Sequence, residues 1–326
     1  MRPGGDRAVA AWLFVCAALV AAMVVFGGLT RLTESGLSIV EWRPITGALP
    51  PLTAAAWDAE FAKYRESPEY KHVNLGMSMA GFQRIYLVEW GHRLLGRLIG
   101  LVVLVPLIWW WWRGRIDRAL GLRVLALSVL GGLQGAMGWY MVASGLVSNP
   151  AVSHYRLAAH LALALVIFAG LWWLALDAGE GRKAERDGKA ALVAGLIFLQ
   201  SLSGALVAGL DAGMAANTWP RMGDGLVPAN WNELEPWWLN WLENPSTVQF
   251  SHRSSAWLAA AAAVWLWWHM RDRRGADWLP ILVVVQFALG VATVLSQVAI
   301  PIAALHQAVA VALFALAVTL ARKPAA

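Results

Sequence analysis

Two six-residue phrases concentrate the polar chemistry of this 326-residue chain. VEWGHR (88–93) places Glu89, His92 and Arg93 within five positions, and VQFSHR (248–253) repeats the phrase with Gln249, His252 and Arg253. An imidazole can ligate a metal, a carboxylate can accept or release a proton, and a guanidinium fork can grip an oxyanion. Glu89 and His92 are i, i+3 on a helix, so they share a face about 5–6 Å apart at Cβ. Arg93 lies i+4 from Glu89, so an internal ion pair is the plainer use of both. The second phrase weakens that use, because Arg253 meets Gln249 at the same spacing.

The chain around both phrases is apolar enough to cross a bilayer, where such groups are disfavoured and mark function. The sequence is 59% hydrophobic and 14% charged, against about 25% charged in soluble domains. That makes it an integral membrane protein. The one cysteine, Cys16, excludes an internal disulfide, a CxxC redox pair and a cysteine-built zinc site. A net charge of +6 could suggest nucleic acid, but the bases cluster at the ends of apolar runs, so no nucleic-acid partner is expected.

Eight runs approach the roughly 20 residues that a spanning helix needs. They lie near 9–29, 86–112, 119–143, 153–175, 190–211, 248–270, 277–297 and 301–321. The first follows MRPGGDR; its apolar stretch exceeds a signal-peptide core, so it is read as a retained helix. RGRIDR (113–118), GRKAERDGK (181–189), RDRR (271–274) and ARK (321–323) are basic, whereas 144–152 and 298–300 carry no charge. The positive-inside rule then sets both termini in the cytoplasm and the long segments 31–85 and 212–247 outside.

The runs form a repeat. SLSGALVAGLDAGM (201–214) aligns with VVFGGLTRLTESGL (24–37), continuing to Trp42 with Trp219. VQFSHR aligns with VEWGHR, VQFALG (285–290) with LQGAMG (133–138), and ALH (304–306) with AAH (158–160). Each half holds an even number of spans, so the halves cross the membrane in the same sense. The expected fold is all-α: eight transmembrane helices in two tandem four-helix bundles, related by a pseudo-twofold axis along the membrane normal. The halves are set at 1–176 and 190–326, joined by a cytoplasmic linker over 177–189.

The repeat sorts the seven histidines. His92, His160, His252 and His306 fall on the second and fourth helices of each half, roughly four to eight residues after the run begins, or about 6–12 Å deep. Two imidazoles at one depth across a bundle form the usual axial pair for a b-type haem. Arg93 and Arg253 would then receive haem propionates. His72, His154 and His269 read as solvated or snorkelling side chains, and WWWW (109–112) and WLWW (265–268) as interfacial anchors. Glu89, a proton acceptor or donor beside His92, is replaced by a non-titrating amide in the second half, so one site looks catalytic and the other a holding or electron-transfer site.

At this level of detail the chain resembles the haem A synthase family. The resemblance rests on GGLTRLTESGLSIVEW (27–42), VEWGHRLLGR (88–97), GWYMVASGL (138–146), VSHYRLAAHLALAL (152–165), NTWPRMGDGLVP (217–228), QFSHR (249–253) and LHQ (305–307). It implies oxidation of a methyl on haem O, the substrate, to the formyl of haem A, the product, for terminal oxidases. His92 and His160 would frame the substrate haem with Glu89 catalytic, and His252 and His306 would hold a resident haem b that passes electrons. It further implies haem O synthase as substrate donor, an electron carrier such as a ferredoxin, oxidase assembly factors as partners, and a multi-pass inner-membrane location. Some members carry cysteine pairs in the outside loops; this chain has none and is similar to the proteobacterial and mitochondrial branch.

Two other readings fit parts of the pattern. A non-catalytic di-haem b electron-transfer protein would want one haem near each face, and here all four histidines sit toward one side. A transporter would want broken helices at midplane, which are not evident. The long outside segments could cap the haem pockets or dock partners.

Overall fold

The structure is a computed structural model that describes residues 6–147, 150–181 and 183–323. The N-terminal basic flank at 1–5, Arg182 of the linker and residues 148–149 of the uncharged loop lie outside the described residues. Among the described residues there is no β-strand, only two isolated bridges.

The long helices are α1 (Arg7–Leu32), α4 (Met79–Trp112), α5 (Arg118–Ser144), α6 (His154–Glu180), α7 (Gly188–Gly209), α9 (Pro245–Met270), α10 (Trp278–Leu295) and α11 (Ile300–Leu320). Three short ones, α2 (Ala54–Arg65), α3 (Pro68–His72) and α8 (Asn240–Glu243), fall in the two long connecting segments. Each of the eight apolar runs therefore becomes a helix. Seven are long and apolar enough to cross a membrane. The exception is α9, long enough at 26 residues but diluted at its start by Ser246, Thr247, Gln249, Ser251, His252, Arg253, Ser254 and Ser255.

Helix starts follow local chemistry. Asp117 accepts from the Leu120 amide at 2.7 Å to open α5. Asn244 accepts from Ser246 and Thr247 at 3.0 and 3.3 Å to open α9, with Pro245 at its first position. Such caps each contribute about 1 kcal/mol. The longest helix, α4, has 34 residues, about 51 Å at 1.5 Å each, and begins two turns before its apolar run. Those turns carry Phe82, which packs with Phe61 and Tyr64 of α2, ring centroids 4.8 and 5.1 Å apart. Burial of these aromatics, which a hydropathy reading does not register, extends the helix.

The chain divides into two compact units, Ala18–Ile167 and the combination of Met1–Ala17 with Phe168–Ala326. Within the second, Leu13 and Cys16 of α1, Leu171 and Ala175 of α6, Val193 of α7 and Ala317 of α11 are all buried. Trp172 closes this core by donating to Thr319 Oγ1 at 2.8 Å. Arg322 pairs with Asp177 and Glu180 at 2.8 and 2.9 Å. In the first unit the apolar core lies around Ile39, Phe61, Tyr64, Phe82 and Tyr86.

Candidate functional site: two histidine pairs and their straps

Each of the four repeat-matched histidines lies against a glycine of a neighbouring helix. A Cβ built on Gly27 of α1 would stand 3.2 Å from His92 Nε2, and one on Gly138 of α5 would stand 3.0 Å from His160 Cε1. In the other unit the distances are 3.2 Å from Gly204 of α7 to His252 Cε1 and 3.1 Å from Gly290 of α10 to His306 Cε1. Any side chain at these positions would displace an imidazole. Gly27 aligns with Gly204 and Gly138 with Gly290, so aligned glycines meet aligned histidines. Each pair sits within one unit, close enough to interact electrostatically: His92 with His160, His252 with His306.

Glutamines bond three of these histidines, at the ring of His252 and His306 and at the backbone of His160. Gln134 donates to the His160 carbonyl at 2.9 Å, and His306 Nδ1 lies 3.1 Å from the Gln286 carbonyl. That last contact puts the proton on Nδ1, and Nε2, 3.4 Å from the Gln286 amide nitrogen, is left as the acceptor nitrogen of the kind that ligates a metal. Gln200 lies 3.1 Å from His252 Nδ1 and accepts from Ser255 Oγ at 2.7 Å. Its repeat partner is Met23, which cannot make that bond. His92 instead receives the edge of Phe26 at 5.7 Å.

Glu89 is 3% exposed and fully engaged. Its Oε2 accepts from Ser38 Oγ at 2.7 Å and the Ile39 amide at 2.8 Å, and its Oε1 pairs with Arg93 at 2.6 Å. Arg93 also donates to the carbonyls of Ile39 and Glu41 at 3.0 and 3.1 Å. One turn further along α4, Arg97 donates to Pro44 and Arg43 at 2.8 and 2.9 Å. Residues 38–44 thus form a strap along α4, held by three side chains at i, i+4 and i+8.

The second unit has the same strap with the polarity reversed. Gln249 donates to the carbonyls of Gly213 and Ala216 at 3.2 and 3.1 Å, where Glu89 accepts. Arg253 donates to Ala216 and Thr218 at 2.6 and 3.0 Å, and these residues align with Ile39 and Glu41. The arginines therefore clamp backbone in both halves, and in the first the plainer ion pair with Glu89 is made as well. Sequence reasoning found both arginines but not the strap, Ser38, Arg97 or Gln200. The spacing of Arg97, four residues after Arg93, was the available signal.

The other histidines divide. His72 and His269 are exposed, the latter with Nδ1 2.8 Å from the Trp265 carbonyl. His154, expected to be solvated, is buried at the first turn of α6, its ring 4.0 Å from Tyr155.

The chain matches the family described as cytochrome oxidase assembly protein over residues 10–318. It belongs to that family. Among its relatives, the Heme A synthase of Parvibaculum lavamentivorans is 49% identical over 319 residues, covering 96% of this chain and 93% of that protein. The Heme A synthase of Methylobacterium radiotolerans is 50% identical over 343 residues, covering 99% and 92%. That of Nitrosospira multiformis is 47% identical over 324 residues, covering 95% and 91%.

Proposed function

We propose that the protein is a haem A synthase: it oxidises a methyl substituent of haem O to the formyl group of haem A. The observation that carries this reading is identity of 46–50% to several proteins of that name across nearly the whole chain. The residues fit the group. Four glycines leave room at four imidazoles, and His160 Nδ1 is buried without a partner. Buried, unpartnered N–H groups on Arg253 (Nε) and Arg97 (Nη1) suit carboxylates such as propionates. Arg93 has its fork turned to Glu89 and the strap, so its charge balances Glu89 first.

On this reading His252 and His306 hold a haem b, which supplies one-electron redox chemistry when bound. His92 and His160 frame the substrate. Converting a methyl to an aldehyde through alcohol and gem-diol stages takes up two oxygens at the level of water, gives four electrons to the external electron carrier and releases four protons, and ends with loss of one water. Glu89, on the helix face of His92, receives and returns the protons lost at the reacting substituent. The second half, with Gln249, has no such group. Eight spans in two tandem bundles, halves divided near 177–189, both termini cytoplasmic and histidine pairs toward the outer side of the inner membrane complete the proposal. Haem O synthase and an electron carrier are the partners it requires.

Haem extracted from purified wild type and Glu89→Gln, expressed with a haem O supply, tests it. Wild type should yield haem A. The variant should keep its Soret band and lose haem A by about a hundredfold, as removal of a general acid–base group does. No haem A from wild type would refute the assignment.

A further inference from the structure

The Ser38 hydroxyl sits between two acceptors. It lies 2.7 Å from Glu89 Oε2 and 3.0 Å from the carbonyl of Ser35, and its one hydrogen can serve only one of them. Both side chains are buried, Ser38 at 2% and Glu89 at 3% exposure, so no solvent screens the choice. The other donors to the carboxylate, the Ile39 amide and Arg93, can only donate.

A carboxylate surrounded only by fixed donors has nowhere to carry a proton, because an O–H would face an N–H. Ser38 removes that conflict. With Glu89 deprotonated, the hydroxyl donates to Oε2. With Glu89 protonated, the hydroxyl turns to the Ser35 carbonyl and its oxygen accepts the new O–H from Oε2. The protonated state adds one hydrogen bond, from Glu89 to Ser38 Oγ, and leaves no donor unpaired, and neither state requires the backbone to move. The equivalent residue in the second half is Ala215, beside Gln249, where nothing titrates.

We propose that Ser38 is a positioning residue whose hydroxyl switches between Glu89 and Ser35, allowing Glu89 to hold a proton on Oε2 while its carboxyl stays in place. This rests on the haem A synthase reading of the first half. It adds a residue that acts through Glu89 rather than on the substrate.

The test compares Ser38→Ala and Ser38→Thr with wild type and Glu89→Gln, each assayed for total haem per protein, thermal stability, and the ratio of alcohol-level to formyl-level haem extracted. Ser38→Ala should lower haem A about tenfold, the factor one charge-assisted hydrogen bond carries. It should raise the alcohol-level fraction at unchanged haem content. Ser38→Thr, which restores the hydroxyl, should return haem A to within about twofold of wild type, since Thr keeps the same donor and acceptor. Normal haem A in Ser38→Ala would overturn the proposal. So would loss of haem and of stability in both Ser38 variants, which would assign the contact to folding alone. Failure of the underlying reading would be seen separately, as no haem A from wild type or undiminished haem A from Glu89→Gln, and would remove the proposal with it.

Discussion

Gly204 of α7 faces His252 of α9 so closely that a Cβ there would stand 3.2 Å from the ring carbon Cε1. Ordinary van der Waals contact begins a few tenths of an ångström farther out, so the imidazole occupies space that only glycine leaves. Gly204→Val should therefore push the ring off its axis, at a cost of about 1–3 kcal/mol for overpacking. On the proposed ligation of haem b by His252, the expected outcome is loss of that haem, with Soret absorbance per protein falling to about half. Gly195, on the same helix with open space around it, is the control. Undiminished absorbance in Gly204→Val would dissociate the cradle from ligation.

Glu69 gives a pH dependence. It is 5% exposed in α3, and burial pushes its carboxyl up to about 7 from 4.5, against a hydrogen bond from Tyr64 at 2.8 Å that works the other way. With the folded value above the unfolded one, the protonated form favours folding. The contribution is complete below about 4.5 and is lost as pH rises through 7, a swing of about 3 kcal/mol at most. Thermal melts in detergent should show wild type losing stability relative to Glu69→Gln between pH 5 and 8. Parallel pH profiles for the two proteins would refute this.

Arg322, on the chain's last basic run, was counted with the loop charges that orient the chain, yet it is 4% exposed and locked to Asp177. Removing one partner of a buried pair strands the other, at about 3–5 kcal/mol, whereas replacing both with apolar groups costs much less. Arg322→Met, which strands Asp177, should thus lower the melting temperature more than the double change Asp177→Leu with Arg322→Met; Asp177→Asn would leave Arg322 its second partner, Glu180. Equal losses would mean that the pair stabilises nothing beyond its packing.

These cases locate what the sequence could disclose. The helices were legible because hydropathy and caps are local, and the four histidines could be singled out because the aligned segments carry each ring twice. The strap was not legible. It lies in a segment without period, and its bonds join Ser38 to Glu89 across 51 residues through backbone groups that carry no side-chain signature. Burial of His154 and Arg322 depends likewise on which loop or helix closes over them. The polar start of α9 is the converse case: its composition is that of a soluble helix, while its place in the repeat matches α4.

The reversed polarity of the two straps yields the sharpest asymmetry. Gln249 is 2% exposed and directs its amide N–H groups at the carbonyls of Gly213 and Ala216. A carboxylate there would face two oxygen acceptors with no donor in place of Ser38, since that position is Ala215. Gln249→Glu should therefore cost about 2 kcal/mol or more, the penalty of leaving buried polar groups unpaired. It should loosen the 213–218 strap, read as faster protease cleavage at Arg221. On the proposed assignment of the oxidising site to Glu89 and His92, haem A formation should continue, and no second oxidising site should appear even though both aligned helices then carry the same acid. Adding Ala215→Ser supplies one donor and should recover part of the stability. If Gln249→Glu alone is as stable as wild type, the strap backbone can invert freely, and polarity does not set the two halves apart.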